Sequence, residues 1–249
     1  MAFKDHFSSQ AATYAQARPG YPDALYTWLA QQCRRRELAW DAGAGSGQCA
    51  VALARHFQRV VATEPSAAQV ANAVAHPRVE YRIEAAEEPS FEPGTVDLLC
   101  VAQALHWFDL ERFWPAARRV LRGDAVVAVW SYQLSSVDAA VDRVYMHLYD
   151  EVLGAYWPPE RSHIIDAYAR LPFPFVQLPA PPFEMQREWT LGQYLDYLRS
   201  WSASARYRAE RGEDPVAGIA DAMAAAWGDP LHRRTVTWPL QLRVGRVAA

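Results

Sequence analysis

Residues 38–48 read Leu-Ala-Trp-Asp-Ala-Gly-Ala-Gly-Ser-Gly-Gln, an apolar run that leads into one acid and three alternate glycines. The pattern predicts a buried strand from Leu38 to Asp41, a turn from Gly43 to Gly47 and a helix from Gln48 to Phe57. Glycine lets the backbone adopt positive φ and approach a ligand closely, and the first amides of a helix have no partner within it. The stretch therefore predicts a loop that binds a nucleotide cofactor.

The spacing of the glycines separates the possible cofactors. The dinucleotide fingerprint is G-x-G-x-x-G, whereas here the third glycine comes one residue early and Gln48 stands in its expected place. The Lys-Ser/Thr ending of a phosphate-binding loop is also missing. Asp41, just before the loop, can pair with an ammonium group, which favours a cofactor with an amino-acid moiety.

A second acidic strand end follows at the distance expected for a ribose contact. Residues 60–64 read Val-Val-Ala-Thr-Glu, and the Glu64 carboxylate, about twenty residues after the loop, can accept both ribose hydroxyls. The alternative is a tight turn followed by an ordinary acid at a strand end. With both signals in this order, the chain resembles the class I S-adenosylmethionine (SAM) dependent methyltransferases, whose first motif is acid-x-Gly-x-Gly-x-Gly.

The resemblance implies SAM as the cofactor and a set of residues that contact it. After the third strand the family often has an acid followed by Ala-Glu, where backbone groups contact the adenine. Here Ala85 replaces that acid, and Ala86 and Glu87 are carried over. The predicted cofactor-binding residues are Tyr14, Asp41, Gly43, Ala44, Gly45, Gly47, Glu64, Pro65, Ala86, Glu87, Ala102 and Gln103.

An aromatic arm precedes the first predicted helix, which spans Pro22 to Cys33. The resembling methyltransferases carry Tyr-x-x-x-Arg-Pro-x-Tyr-Pro here, matched from Tyr14 to Pro22, and their arm covers the cofactor pocket. Packing is the simpler interpretation of these aromatic residues. Arg18 is either an anion contact for the substrate or a surface residue.

The second specific motif covers residues 103–109, which read Gln-Ala-Leu-His-Trp-Phe-Asp after a predicted fourth strand. It resembles Gln-Ala-x-His-Trp-Phe-Asp in a branch of small-molecule methyltransferases similar to trans-aconitate methyltransferase. In an open α/β sheet the ligand crevice lies beyond the carboxyl ends of the strands. We therefore expect Gln103, His106 and Trp107 to lie beside the cofactor.

Later residues complete the expected substrate site. Trp130, at the end of a predicted fifth strand, points at the mouth of the crevice. Residues 197–202, Tyr-Leu-Arg-Ser-Trp-Ser, resemble the Tyr-Leu-x-Thr-Trp-Ser signature of the same branch, in the part that faces the substrate. The alternative is an amphipathic helix with Trp201 in the core and Arg199 in water. The predicted substrate-binding residues are Arg18, Trp107, Trp130, Arg199 and Trp201, with Arg206 a weaker candidate.

The alternation of strands and helices predicts an α/β fold with a Rossmann-like, doubly wound, seven-stranded mixed sheet and helices on both faces. The alternation breaks between 135 and 182, which indicates a helical insertion after the fifth strand. We expect one methyltransferase domain, 1–249, made of an N-terminal arm and helix (1–36), a SAM-binding core (37–134), the insertion (135–182) and C-terminal strands and helices (183–249). Asp109 is expected to cap the next helix and Gly123 to close it, and Thr190 is expected to cap a helix from Leu191 to about Trp201. The other helices are expected over Val137 to Leu153, His163 to Leu171 and Gly212 to Trp227. An extended segment is expected from Pro172 to Pro182, and strands over Phe183 to Trp189 and Val236 to Val244.

Composition limits the class of protein and its partners. Of 249 residues, 51% are hydrophobic, which indicates a globular chain, and the net charge of −3 gives no overall basic surface for nucleic acid. No run approaches eighteen apolar residues and residues 1–10 hold no apolar segment, so we expect no membrane insertion and a cytoplasmic location. The three cysteines are far apart and lack C-x-x-C spacing, so no metal site is expected.

The sequence is compatible with several functional groups as the acceptor of the methyl group. A strong methyl donor needs a protein mainly to hold donor and acceptor in line and to exclude water. A carboxylate acceptor is ionised at pH 7 and needs only cations such as Arg18 or Arg199 to orient it. A phenol, an amine or a carbon acid would need a base, and His106 is the motif residue placed for that role, although such a histidine is also often a packed residue.

Two other classes of protein are alternatives to a methyltransferase with a small-molecule substrate. A nicotinamide-dependent reductase uses a similar sheet, but the glycine spacing argues against it. A SAM-binding protein without catalytic activity would have the same cofactor residues, and only an assay separates the two. We expect the protein to be a monomer or a homodimer.

Overall fold

The computed structural model describes residues 20–132, 134–158, 161 and 166–248. Strands and helices alternate through the first half of the chain, and helices and antiparallel strands follow. The described helices are α1 (Asp23–Gln32), α2 (Gln48–Leu53), α3 (Ala67–Ala71), α4 (Leu110–Val120), α5 (Ala139–His147), α6 (Leu191–Arg199), α7 (Ser202–Arg211) and α8 (Ala220–Trp227). The strands are β1 (Leu38–Ala42), β2 (Arg59–Thr63), β3 (Val79–Arg82), β4 (Val96–Ala102), β5 (Leu121–Tyr132), β6 (Val176–Leu178), β7 (Glu184–Trp189) and β8 (Arg234–Arg246).

The strands form one mixed sheet in the order β3-β2-β1-β4-β5-β8-β6, and β7 pairs with the first half of β8. The first five strands in this order are parallel, and β8 runs antiparallel to β5, β6 and β7. The strand order reverses between β1 and β4, so the loops after these two strands meet at the switch point where α/β sheets bind ligands. The predicted mixed α/β sheet is confirmed, with β6 as an eighth strand inside the proline-rich segment that we expected to be extended.

Alternate residues of the parallel strands enter two separate cores, one on each face of the sheet. On one face Ala39 of β1 packs with Leu25 of α1 and Leu53 of α2. On the other face the Trp40 ring lies 6.0 Å from the ring of Phe113 on α4. Because both faces of the sheet are covered, the central strands are apolar at nearly every position.

Four expectations about element bounds are wrong. The helix after the glycine loop, α2, ends at Leu53 and not at Phe57. Gly123 does not close the helix capped by Asp109, because α4 ends at Val120 and the chain enters β5 directly at Leu121, which pairs with Val96. Gly212 does not begin a helix: with φ of +72° it terminates α7, which the sequence analysis did not predict. Of the helix expected over His163 to Leu171, the described part, 166–171, forms turns.

The helix expected over Val137 to Leu153 consists of α5, capped by Asp138, and a π-helical turn, Leu148–Val152. Thr190 caps α6 in a capping box with Gln193, as the sequence indicated. Within the part of the chain that the structure describes, no helix is both long enough and apolar enough to cross a bilayer.

Candidate functional site

The loop after β1 folds back onto the end of β2. The amides of Gly43 and Ala44 both donate to the carbonyl oxygen of Thr63, at 2.9 and 3.0 Å. Gly43, Gly45 and Gly47 have φ of +69°, +55° and +82°, a region that glycine adopts without the cost a side chain brings. The glycine motif therefore forms the tight turn that its sequence predicts.

Two of the three glycines are fixed by close packing and one faces open space. A Cβ on Gly43 would lie 2.7 Å from the Cβ of Ala104, and a Cβ on Gly47 would lie 2.1 Å from the hydroxyl oxygen of Tyr81. A Cβ on Gly45 would have nothing within 4 Å among the described residues. The backbone at Gly45 can therefore be approached closely by a ligand.

Asp41 is the buried acid beneath this loop. Its residue surface is 1% exposed, and neither carboxylate oxygen has a hydrogen bond that satisfies distance and angle within the described residues. Burial raises the pKa of this carboxyl to about 7, the nearby Cys49 thiol and Ala50 amide lower it, and Glu64 raises it. A buried carboxylate without a full set of partners is costly, so this position favours binding of a cation.

Glu64, the acid after β2, is held in place by the backbone. Its Oε2 accepts from the amide of Gly45 at 3.0 Å, and its Oε1 accepts from the amide of Ser66 at 3.0 Å. The residue is 7% exposed. The carboxylate thus lies directly against the glycine loop, with Pro65 beside it in the chain, where the sequence analysis placed a ribose contact.

The loop after β3 is joined to the start of α4. Ala86 is buried, and the Oε1 of Glu87 accepts from the amide of Asp109 at 2.8 Å. Asp109 in turn caps α4. The segment expected to contact adenine and the segment expected to face the acceptor are therefore connected by a hydrogen bond.

Gln103 extends the pairing of β4 and β5 with its side chain. Its Nε2 donates to the carbonyl oxygen of Tyr132 at 3.1 Å, and its Oε1 accepts from the amide of Tyr132 at 3.1 Å. Gln103 has φ of +58° directly after Ala102, the last residue of β4. Because the amide group is used in this way, Gln103 shapes the rim of the crevice, while its contribution to cofactor binding stays a prediction.

His106 and Trp107 lie in the loop beyond β4. The Nδ1 of His106 is 2.9 Å from the hydroxyl oxygen of Tyr168, which is fully buried. The Trp107 side chain packs beside the His106 ring, at 4.6 Å between ring centroids, and the residue is 37% exposed. His106 therefore has a structural partner, and Trp107 presents an apolar surface at the crevice.

Trp130 and Trp201, two of the predicted substrate residues, lie in different surroundings. Trp130 is fully buried in β5, with Tyr21 in an edge contact at 5.4 Å. Trp201 lies in a cluster of aromatic side chains, with ring centroids 5.4 Å from both Tyr145 and Trp157. Trp201 borders a cavity, whereas Trp130 lies inside the core.

Arg199 is engaged by two carboxylates. Its Nε lies 2.8 Å from Asp214 and its Nη1 lies 3.0 Å from Asp196. The Asp214 carboxylate raises the pKa of the guanidinium further. An arginine neutralised in this way is a poor receptor for a substrate carboxylate, so the geometry favours a structural role for Arg199.

A cavity of about 40 Å³ lies beyond the ends of β4 and β5, and we call it the β4–β5 cavity. It is lined by Gln103, Tyr132, Trp157, Arg161, Tyr197, Trp201 and Ser202. The sequence analysis missed Arg161. The four-residue spacing of Trp157 and Arg161 could have indicated that the two side chains lie together, but the intervening Pro158 and Pro159 obscured it.

Two of the predicted residues, Tyr14 and Arg18, lie outside the described residues. Within the described ranges no group of three or more His, Cys, Asp or Glu side chains is arranged to hold a metal ion, and Cys33, Cys49 and Cys100 are buried free thiols. A larger cavity, of about 500 Å³, lies near Tyr207 and Pro215. The described residues that line it include none from the loops after β1, β2, β4 or β5. The predicted cofactor and substrate residues on those loops therefore do not face this larger cavity.

Comparison with known proteins gives consistent matches. Residues 40–129 match the family model described as a methyltransferase domain. A provisionally named methyltransferase of Dictyostelium discoideum is 35% identical over 90% of this chain and 87% of its own length. An uncharacterised methyltransferase of Mycobacterium tuberculosis is 33% identical over 74% of this chain and 70% of its own length.

Solved structures give the same result. A provisionally assigned type II methyltransferase from Anaeromyxobacter dehalogenans is 47% identical and superposes with a TM-score of 0.89, over 93% of this chain and 98% of that chain. This similarity spans the glycine loop, the crevice and the C-terminal strands together.

Proposed function

Because this chain belongs to the class I SAM-dependent methyltransferases, we propose that it transfers the methyl group to a small-molecule acceptor, with a carboxylate as the preferred acceptor. The β4–β5 cavity is the observation that carries the proposal. Aromatic side chains line it together with Gln103, Arg161 and Ser202, and its volume of about 40 Å³ suits one functional group of a metabolite. The similarity of residues 103–109 and 197–202 to the branch that includes trans-aconitate methyltransferase supports the same class of substrate.

The residues of the glycine loop fit SAM. Asp41 is a buried carboxylate whose hydrogen-bonding capacity is not met by the described residues, and an ammonium group would complete it. Gly45 has open space beside it, and its amide donates to the carboxylate of Glu64. We expect this carboxylate to accept the ribose hydroxyls of SAM. Gly43, Ala44 and Gly47 belong to the same loop, and Pro65, Ala86, Glu87, Ala102 and Gln103 are the other described residues that we propose to contact SAM.

When bound, SAM supplies a methyl carbon on a sulfonium, to which the acceptor oxygen bonds while the carbon–sulfur bond breaks and its electron pair stays on sulfur. The residues of this chain bind the two molecules in line and exclude water, effects that can supply about 7–11 kcal/mol in such reactions. A carboxylate acceptor is already ionised at pH 7, so no residue needs to remove a proton. His106 would then have a structural role and would not act as a base, in keeping with its bond to Tyr168.

A second candidate acceptor is a phenol, an amine or a carbon acid. It is favoured by the placement of His106 in the loop after β4, where an imidazole with one nitrogen oriented by a partner is a common arrangement for a general base. In that case the Tyr168 hydroxyl accepts from Nδ1–H and leaves Nε2 as the basic nitrogen.

The test is the transfer of labelled methyl from SAM into a small-metabolite extract, followed by mild base treatment of the products. Volatile labelled methanol is the expected result, because a methyl ester is cleaved by base. Label that survives base treatment would contradict a carboxylate acceptor and support a phenol, an amine or a carbon acid. Absence of transfer, with SAM binding intact in a titration, would favour a binding protein without activity. The variant Glu64→Ala, which we expect to lose SAM binding, is the control for transfer by another protein in the sample.

A further inference from the structure

Among the described residues that line the β4–β5 cavity, Arg161 has the one cationic side chain. Its Nε donates to the hydroxyl oxygen of Tyr149 at 2.9 Å. The guanidinium carbon lies 4.1 Å from the ring centroid of Trp157 and 5.2 Å from that of Tyr149. Trp157 is itself held by a bond from its Nε1 to the carbonyl oxygen of Tyr149, at 3.1 Å. The guanidinium is thus placed by aromatic neighbours rather than by an acid.

Arg199 and Arg208, in contrast to Arg161, lie beside carboxylates. Arg199 contacts Asp196 and Asp214, and Arg208 also lies near Asp214. Within the described residues, no carboxylate lies within ion-pairing distance of Arg161, and neither of its terminal nitrogens makes a hydrogen bond. A guanidinium that stacks on aromatic rings keeps both terminal N–H groups for a bidentate contact with a planar anion.

The N-terminus of α7 adds a second feature that favours an anion. Ser202, the first residue of this ten-residue helix, lines the cavity, and no side chain caps the helix at Trp201. Unpaired amides and the helix dipole stabilise negative charge at such an end. The positive end of α7 and the guanidinium therefore face the same small volume.

A third feature is the hydroxyl group of Tyr145, which is buried beside Trp201 of the cavity lining. Tyr145 is 1% exposed, packs against Trp201 and Tyr149, and its hydroxyl oxygen makes no hydrogen bond that meets distance and angle within the described residues. Burial raises the pKa of this hydroxyl, and Tyr197, Arg161 and the nearby Ser135 also act on it. A buried hydroxyl without a well-formed hydrogen bond is costly, so a ligand oxygen that reached it from the cavity would be stabilised.

We propose that the β4–β5 cavity binds the carboxylate of the acceptor, with Arg161 as its counter-ion and specificity-determining residue and the N-terminus of α7 as a second stabilising element. This rests on the proposed function, since it assigns the acceptor side of that site. The volume of about 40 Å³ holds a carboxylate group but not a whole metabolite, so the rest of the acceptor extends toward the crevice. Neutral analogues of the same shape would leave the guanidinium unpaired and bind poorly.

The first experiment measures methyl transfer with a metabolite extract divided on an anion exchanger at pH 7 into retained and unretained fractions. We expect transfer with the retained fraction, at least a tenfold lower rate for Arg161→Gln at limiting extract, and partial recovery for Arg161→Lys. Arg143→Gln, which removes an exposed arginine on α5, should stay within twofold of the unmodified protein. All variants should keep their SAM affinity and unfolding midpoint. Transfer only with the unretained fraction, or an unchanged rate for Arg161→Gln, would overturn the assignment.

The second experiment tests the cavity without methyl transfer. Benzoate and benzamide share a shape and differ in charge, and the fluorescence of Trp157 and Trp201 reports on the cavity they line. We expect a saturable response to benzoate in the unmodified protein and in Arg143→Gln, at least a tenfold weaker one in Arg161→Gln, and none to benzamide.

A response to both compounds, an undiminished response in Arg161→Gln, or none to benzoate in the unmodified protein would each refute carboxylate recognition here. If benzoate binding depends on Arg161 while no extract supports transfer, the cavity assignment stands and the proposed function fails.

Discussion

The Nδ1 atom of His106 lies 2.9 Å from the hydroxyl oxygen of Tyr168, in a bond that joins the loop after β4 to the segment between α5 and β6. Burial raises the pKa of the Tyr168 hydroxyl far above its usual range, so the hydroxyl keeps its proton near neutral pH. If it donates that proton to Nδ1, the neutral ring carries its own proton on Nε2 and has no basic nitrogen left.

We therefore expect His106→Gln to lower kcat by less than tenfold with a carboxylate acceptor, because no proton is removed. The measurement is the initial rate at saturating SAM from pH 6 to 8, with a flat profile expected in both proteins. General-base catalysis typically contributes about 10²–10⁴-fold. A loss of that size, with a rate that rises through the titration of a single group, would support the phenol, amine or carbon acid alternative.

The same bond should contribute to stability. Tyr168→Phe removes the hydroxyl and leaves a partly buried ring nitrogen without this partner, so we expect a loss of about 1–2 kcal/mol in the free energy of unfolding. Urea denaturation measures it. Tyr207→Phe, on α7, is the control and should change the free energy by less than about 0.5 kcal/mol. Equal effects of the two substitutions would contradict the expectation.

The glycines of the loop should differ in what an added methyl group costs. Gly43→Ala brings a Cβ to 2.7 Å from Ala104, so we expect it to destabilise the fold more than Gly45→Ala, which has open space and bears only the backbone cost of about 1–2 kcal/mol. Gly45→Ala should still weaken SAM binding, measured by calorimetry.

Gly94→Ala is the matched control for Gly45→Ala, since Gly94 also has positive φ and open space but lies away from the loop. It should lower stability to a similar extent and leave SAM affinity unchanged. A shared loss of affinity would mean that the effect of Gly45→Ala is global.

Asp41 predicts a pH dependence of stability. Its folded pKa of about 7 lies above the ordinary value of 3.8, so between these values the folded protein holds a proton that the unfolded chain has lost. The free energy of unfolding therefore falls as pH rises from about 4 to 7. Asp41→Asn lacks this component and should gain stability relative to the unmodified protein between pH 4.5 and pH 8, measured by urea midpoints. A difference that is the same at both pH values would be inconsistent with a buried, proton-linked carboxyl.

The arginines predicted from the sequence can be ranked against Arg161. Arg199→Ala should cost about 0.5–1 kcal/mol of stability through its partly exposed ion pairs and should raise the KM for the acceptor less than Arg161→Gln does. Arg18→Ala remains expected to raise that KM with little change in SAM affinity. Steady-state kinetics of the three variants at fixed SAM decide the order, and a larger effect at Arg199 than at Arg161 would reverse our interpretation of the ion pairs.

Local patterns were sufficient where one stretch of chain determines its own conformation. The alternate glycines after β1, the acid at the end of β2 and the Thr190 cap each depend on neighbours a few residues away, and each was predicted. The helix predicted to begin at Gly212 was wrong because a glycine with positive φ ends helices as readily as it precedes them. The helix end predicted at Gly123 was wrong because Leu121 pairs with Val96, a residue distant in the sequence, and β5 therefore begins at Leu121.

The substrate side was harder to predict because its residues come together only in the fold. A motif singled out Arg199 and not Arg161, but the ion pair with Asp214, fifteen residues after Arg199, engages the guanidinium of Arg199. Trp130 looked like a rim residue at a strand end, but packing of Tyr21 against it buries its indole. Contacts across such distances carry no local signal.

The near-contact between Gly43 and Ala104 also constrains how this family can diversify. With only 2.7 Å between the methyl group at 104 and a Cβ at 43, a larger side chain at either position would move one loop against the other. Relatives should therefore vary these two positions together or not at all, while Arg161 and its aromatic neighbours can change independently. The donor half of the site would then stay constant while new acceptors are acquired through changes in the segment between α5 and β6.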